Sequence, residues 1–354
     1  MKSTAVMFSP SKVGHHESRI QAYWRGERIF PVTVELDLTQ LCTRACPQCP
    51  YSASRSPGLT LALPFLERLF SILGPHTPGL ILTGGEATFV PHYPETLALA
   101  RTKGFKEIST ITNGTCLHRP AVQNALLEHG TAVRVSLYDW QEEDSPAFLE
   151  TLRAIEAVRR RIETESSPLQ IGATLLTRSE WVPRMESTAL AALRAGAHWV
   201  YFHPFCVDWE SERPRMADQT GVTESVEQLR RKATGSSTIQ LPVARYKDYP
   251  LRFPQLHAGH FLLQVGADGI NYAGPECKYE PEYALLDLNE NLTDDFLWHP
   301  RRHARLEAIN SENYRCMGTR HRPPMFSDYL ERTRPGKPPG GSDHHALFMH
   351  PALI

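Results

Sequence analysis

The strongest constraint on the fold is an alternation that runs from residue 31 to residue 205. "PVTVELDLT" (31–39) sets Val32, Val34, Leu36 and Leu38 against Thr33, Glu35 and Asp37, the period of two of a strand. Five further strand-like runs follow: 79–86, 107–114, 132–139, 169–177 and 198–205. Between them lie segments of helical spacing at 63–73, 93–104, 120–130, 145–163 and 182–196. Pro120 and Gly130 bracket one of these, as the usual helix punctuation requires. Strictly alternating strands and helices imply parallel strands joined by crossovers. The expected fold is therefore α/β, a partial (β/α)6 TIM-like barrel. In such a barrel, function gathers where strands end.

The flanks are less regular. Residues 1–30 read as a lead-in with one short helix, and 31–206 form the barrel unit. Residues 207–330 form a covering segment and extension, with a helix near 222–233 and a hairpin over 260–274 turning at Ala267-Asp268-Gly269. A helix broken near Pro300 is expected over 294–310. The Pro/Gly-rich end, 331–354, reads as a flexible tail.

Composition excludes rather than identifies. With 41% apolar and 22% charged residues and a formal net charge of -1, the chain carries no global field for nucleic acid or an acidic membrane. No run reaches the ~18 apolar residues of a membrane span. The N-terminal segment lacks the apolar core of a secretory signal, so a cytoplasmic, reducing location is expected. There, clustered cysteines bind metal or do chemistry more often than they form disulfides.

Three of the seven cysteines, Cys42, Cys46 and Cys49, stand as CxxxCxxC just after the first strand. A structural zinc site would want four ligands, commonly two pairs. No second pair exists, because Cys116, Cys206, Cys277 and Cys316 are each isolated. Three thiolates on one short loop suit a [4Fe–4S] cluster with one iron left open to another molecule. "LTGGEAT" (82–88) follows the second strand, and its Gly84 and Gly85 permit close backbone approach.

On these residues the chain resembles the radical SAM superfamily. The resemblance implies that Cys42, Cys46 and Cys49 hold the cluster, whose free iron chelates S-adenosylmethionine. One electron then cleaves the sulfonium to give a 5′-deoxyadenosyl radical. Gly84, Gly85 and Glu86 match the motif that holds the methionine amino group. Asn113 in "ITNGT", Ser136 on the fourth strand and Arg178 after the fifth are similar to other positions that contact this molecule. Two positions depart from the pattern: Gln48 stands where an aromatic residue is common, and Ala87 where proline is common. The segment from Gly266 to Pro323 is similar to a SPASM/twitch extension. It keeps only Cys277 and Cys316 of the usual ligands, so a degenerate extension without a second cluster is expected.

The resemblance extends to an antibiotic-biosynthesis branch that includes cytosylglucuronate decarboxylases and aminoglycoside epimerases. It implies hydrogen abstraction from a sugar carbon, with a redox-neutral decarboxylation or epimerisation as the expected outcome and an electron donor such as flavodoxin or ferredoxin. Cys206 or Cys116 is a candidate hydrogen-atom donor, and each reads equally well as a small buried apolar residue. His203, at the end of the sixth strand, is the first candidate for substrate contact. Asp208, Glu210, Arg245, Lys247 and Arg252 follow it in the irregular segment. The alternatives are a dehydrogenase of an aminocyclitol, a peptide-modifying SPASM enzyme, and a zinc-stabilised interaction protein.

Overall fold

The computed structural model describes residues 9–46, 49–51, 58–138, 145–232, 238–336 and 350–354. The six expected strands are present as β1 (Thr33–Thr39), β2 (Gly79–Gly84), β3 (Glu107–Thr112), β4 (Ala132–Ser136), β5 (Gln170–Thr177) and β6 (Trp199–Pro204). The chain enters β1 from the helix α1 (Glu17–Trp24). The crossovers contain α2 (Leu63–Leu73), α3 (Tyr93–Lys103), α4 (Pro120–His129), α5 (Pro146–Thr164) and α6 (Val182–Arg194). β1 to β6 pair in sequence order, all parallel.

The helices form because their apolar residues recur at helical spacing. In α2 the buried residues include Leu66, Leu69, Phe70 and Leu73, a single stripe packed on the sheet. α3 ends at Gly104, whose φ of 113° closes the helix in a left-handed cap. On β1 every residue is buried. Val34, Leu36 and Leu38 join the core beneath the helices. Thr33, Glu35 and Asp37, which alternate with them, face the other side, so the lumen is polar where the outer layer is apolar.

The sheet continues beyond these six strands at both edges. After the short antiparallel pair β7 (Cys206–Val207) and β8 (Arg215–Met216) comes α7 (Val222–Lys232). β9 (Thr238–Gln240) then adds parallel to β6. At the other edge β10 (Leu262–Val265) adds parallel to β1, and β11 (Ile270–Tyr272) and β12 (Ala284–Asp287) complete an antiparallel meander. The expected hairpin is therefore the β10–β11 pair, and it prolongs the barrel sheet. The helix broken near Pro300 is a short turn at Phe296–Trp298 followed by a helix at Pro300–Ala308.

The extension has a small core of its own, including Phe253, Leu256, Cys277, Leu285 and Cys316. Buried charges clasp it to the barrel. Lys278 Nζ reaches Asp37 Oδ1 at 2.5 Å and Glu35 Oε1 at 3.8 Å. Tyr279 donates to Asp37 Oδ2 at 2.7 Å, and Arg322 pairs with Glu35. Breaking one partner of such a buried pair costs about 3–5 kcal/mol.

Of the tail expected over 331–354, residues 337–349 lie outside the described residues. Residues 350–354 pack as a plug at the bottom of the barrel, where β1 and β3 begin. Ala352 O accepts from Thr33 Oγ1 at 2.6 Å, and Ala352 N donates to Glu107 Oε2 at 2.8 Å. Lys12 Nζ donates to Leu353 O at 2.8 Å, and Ile354 is 1% exposed. Side chains at the strand starts, Thr33 and Glu107, together with Lys12, thereby satisfy the segment's backbone groups.

Candidate active site

A cavity of roughly 320 Å³ opens at the C-terminal ends of the strands. Cys42, Cys46, Cys49, Gly84, Gly85 and Asn113 line its mouth. Arg134, Ser136, Trp199, His203, Cys206 and Arg245 line it further in.

Close backbone packing joins the two motifs. Gly85 N donates to Thr39 O and Glu86 N to Leu41 O, each at 2.7 Å, so the end of β2 is zipped to the start of the cysteine loop. A Cβ on Gly84 would stand 2.3 Å from Thr39 O, and one on Gly85 2.1 Å from Leu41 O. Gly84 also has a φ of 126°. Only glycine fits at either position. Asn113 reinforces the arrangement: its Nδ2 lies 3.7 Å from Cys42 Sγ and donates to Thr43 Oγ1 at 3.0 Å. The loop turns at Cys49 N to Cys46 O, 3.1 Å, and all three cysteines are partly exposed.

The donor set fits a [4Fe–4S] cluster: three partly exposed thiols on one short loop, all lining the cavity, supply the thiolates that such a cluster takes on separate irons.

Glu86, expected beside the methionine amino group, turns its carboxylate toward the neighbouring loops. It is fully buried and is not among the cavity-lining residues. Its Oε1 accepts from Thr88 N at 3.2 Å, from Thr112 Oγ1 at 2.6 Å and from the Thr88 hydroxyl. Its Oε2 accepts from Asn113 N at 2.7 Å. Burial raises its pKa, while the bonds from Thr112, Thr88 and Asn113 oppose the rise. The carboxylate clasps the loops after β2 and β3, and the surfaces facing the cavity are the two glycines.

Arg178, expected to contact S-adenosylmethionine, is held by its neighbours. It pairs with Glu180 and lies over the rings of Trp181 and Phe205, 5.4 and 5.6 Å from their centroids. Phe205 lines the cavity and Arg178 does not. Ser136 does line it. Of the candidates in the irregular segment, Asp208, Glu210, Lys247 and Arg252 are exposed, with Asp208 paired to Arg215 at 2.9 Å. Only Arg245 reaches the cavity. Gln48 lies outside the described residues.

The structure separates the two candidate hydrogen donors. Cys116 is buried in the loop after β3 and does not line the cavity. Cys206 does line it, with Sγ 3.7 Å from Pro204 O. Burial pushes the Cys206 thiol up to about 12, so it keeps its S–H at neutral pH. Cys277 and Cys316 meet at 3.8 Å in the extension core, both fully buried.

His203 has a fixed tautomer. Its Nε2 contacts Arg245, which can only donate, so Nε2 is the acceptor and Nδ1–H points to Pro204 O at 3.1 Å. Burial, then Arg245 and His321, hold its pKa well below the usual histidine range. The imidazole is neutral, and its lone pair is spent on positioning Arg245. Sequence reasoning missed Arg134, which sits mid-lumen on β4. Its place on the lumen face was readable, two residues before Ser136.

No family model matches the chain. A stretch of 113 residues is 29% identical to the 7,8-dihydro-6-hydroxymethylpterin dimethyltransferase of Methanocaldococcus jannaschii, covering 30% of this chain. The match spans only 22% of that relative's length. Streptococcus suis SuiB bound to S-adenosylmethionine superposes with a TM-score of 0.63 at 10% identity, over 96% of this chain and 82% of that one. anSMEcpe with bound AdoMet and a Cp18Cys peptide gives a TM-score of 0.57 at 15% identity, over 81% and 86%. At such identities the likeness is one of fold, and the chain has the partial α/β barrel of the radical SAM enzymes.

Proposed function

We propose that this protein is a radical SAM enzyme acting on a sugar-containing small molecule of an antibiotic pathway, by a redox-neutral decarboxylation or epimerisation. The observation that carries the reading is the convergence of the three-thiol loop, the glycine pair and Cys206 on one cavity. Cys42, Cys46 and Cys49 would hold a [4Fe–4S] cluster, which when bound supplies the electron that splits S-adenosylmethionine into methionine and a 5′-deoxyadenosyl radical.

The protein's own residues do the rest. Gly84 and Gly85 let the methionine end approach the backbone, and Asn113 and Ser136 line the path beside it. Cys206 keeps its proton and can return a hydrogen atom to a substrate carbon radical, forming C–H and breaking S–H. The thiyl left behind regains one electron and one proton through an external donor such as flavodoxin or ferredoxin. Cys277 and Cys316 are the two thiols of the extension core, and a redox-neutral outcome asks no electron acceptor of them. A peptide substrate is the second reading, favoured by the peptide in the anSMEcpe structure.

The test is anaerobic reconstitution followed by incubation with S-adenosylmethionine and a reductant. Formation of 5′-deoxyadenosine, accelerated by a sugar nucleoside or aminoglycoside over a peptide, supports the reading. A protein that takes up zinc, holds no iron and cleaves no S-adenosylmethionine ends it.

A further inference from the structure

The lumen below the cysteine loop is chemically one-sided. Its lining includes Lys12, Arg134, Arg245 and Arg322; Glu35 is the one carboxylate side chain among the described lining residues, and Arg322 also donates to Ile354 O at 2.8 Å. Glu35 is already engaged by Arg322 and, at 3.8 Å, by Lys278. Arg134 makes no hydrogen bond or ion pair with any described residue, and its Nε is buried. Arg245, 3% exposed, donates to Thr319 O at 2.8 Å and contacts His203, yet its Nε is also buried without a partner.

The unpartnered atoms share one sign. Among the lining residues, the buried polar atoms without a partner are Arg134 Nε, Arg245 Nε, Trp199 Nε1 and Trp209 Nε1. All four are N–H groups that can only donate. A buried charge or donor left unpaired is costly, so such a set indicates a missing acceptor. The crowding of positive charge is felt at Lys12, whose pKa falls to about 7 through burial first, with Arg322 and Arg134 adding to it and Glu107 opposing. Trp199 is held over the lumen because Gly172, next to Arg134 in register, has no side chain: a Cβ there would stand 2.0 Å from the indole.

We infer that this lumen binds the anionic group of the substrate, a carboxylate or a phosphate, with Arg134 as its principal donor and Arg245 and Trp199 beside it. This rests on the enzymatic reading above and narrows it to acidic sugars. Depth distinguishes the group from the carboxylate of S-adenosylmethionine. Arg134 lies two residues before Ser136 on β4, about 6–7 Å further from the mouth. Guanidinium groups suit both anions, through paired N–H···O bonds.

The test is titration calorimetry of the full-length, anaerobically reconstituted protein with glucuronate, glucose 6-phosphate and glucose. At least one anion should bind tenfold or more tightly than glucose, and which one does so separates carboxylate from phosphate. Arg134→Gln should abolish the preference, Arg134→Lys should keep part of it, and both should melt within a few degrees of the parent protein. If Arg134→Gln does not fold, Arg245→Gln is scored in the same way. Equal binding of glucose, no binding of either anion, or a preference that survives the glutamine variant overturns the inference. Loss of S-adenosylmethionine binding in Arg134→Gln also overturns it, by assigning the residue to the cofactor. Calorimetry does not depend on turnover. Absent 5′-deoxyadenosine in the parent protein would therefore sink the radical reading and leave the anion preference standing.

Discussion

Glu86→Gln distinguishes a ligand from a clasp. The two carboxylate oxygens each face a backbone N–H that cannot turn away: Thr88 N at Oε1, 3.2 Å, and Asn113 N at Oε2, 2.7 Å. In either orientation, a glutamine places its NH₂ against one of these donors. The substitution therefore loses one charge-assisted hydrogen bond, worth about 1.5–3 kcal/mol. It also strands a buried N–H, at about 1–3 kcal/mol. Thr88 and Thr112 can rotate their hydroxyls and recover part of this, so the expected loss is about 3 kcal/mol. Urea unfolding of the anaerobically purified protein, followed by circular dichroism, reads that loss. Equilibrium dialysis of the folded variant reads S-adenosylmethionine affinity, which should stay within about threefold of the parent, less than 1 kcal/mol. An unchanged urea midpoint with a tenfold loss of affinity would refute the clasp and restore Glu86 as a ligand.

Alanine at Cys42, Cys46 or Cys49 should each reduce bound iron from about four per chain to near zero by colorimetric assay; a parent protein with about eight would point instead to a second cluster. Cys206→Ala should leave 5′-deoxyadenosine formation intact while diverting or stalling the product by mass spectrometry, and Cys116→Ala should change neither. Lys12, with its folded pKa near 7 against 10.5 ordinarily, binds its proton more weakly in the folded chain. The unfolded chain thus holds more protons between those values, and stability should rise with pH from about 7 to 10.5 by up to ~1.4 kcal/mol per unit. Lys12→Met should flatten that rise in chemical denaturation. Lys278→Met strands Asp37 and weakens the clasp between extension and barrel, and should cost about 3–5 kcal/mol.

The mouth of the site was more legible in the sequence than its interior. Cys42, Cys46 and Cys49 declare themselves by spacing, and Gly84 and Gly85 by a steric need that no other residue meets. Glu86 belongs to the same motif, yet its direction depends on Thr112 and Asn113, which arrive from another strand. Cys116 and Cys206 look alike in one dimension. Their difference is tertiary: Cys206, on β7, lines the cavity, and Cys116, in the loop after β3, does not. The segment 350–354 looks featureless by composition, but its backbone bonds to the side chains of Lys12, Thr33 and Glu107, hundreds of residues away.

The sequence alone determined the order and type of the barrel elements, because strand and helix periodicities are local and apolar burial enforces them. It also determined the thiol loop, because cluster ligation demands residue types at short spacing. Only the tertiary structure decided which polar groups share the lumen. Arg134, Trp199, Arg245 and Arg322 come from β4, β6, the covering segment and the extension. They meet because the sheet curves and its lumen face is polar, a juxtaposition of distant residues that no local pattern encodes.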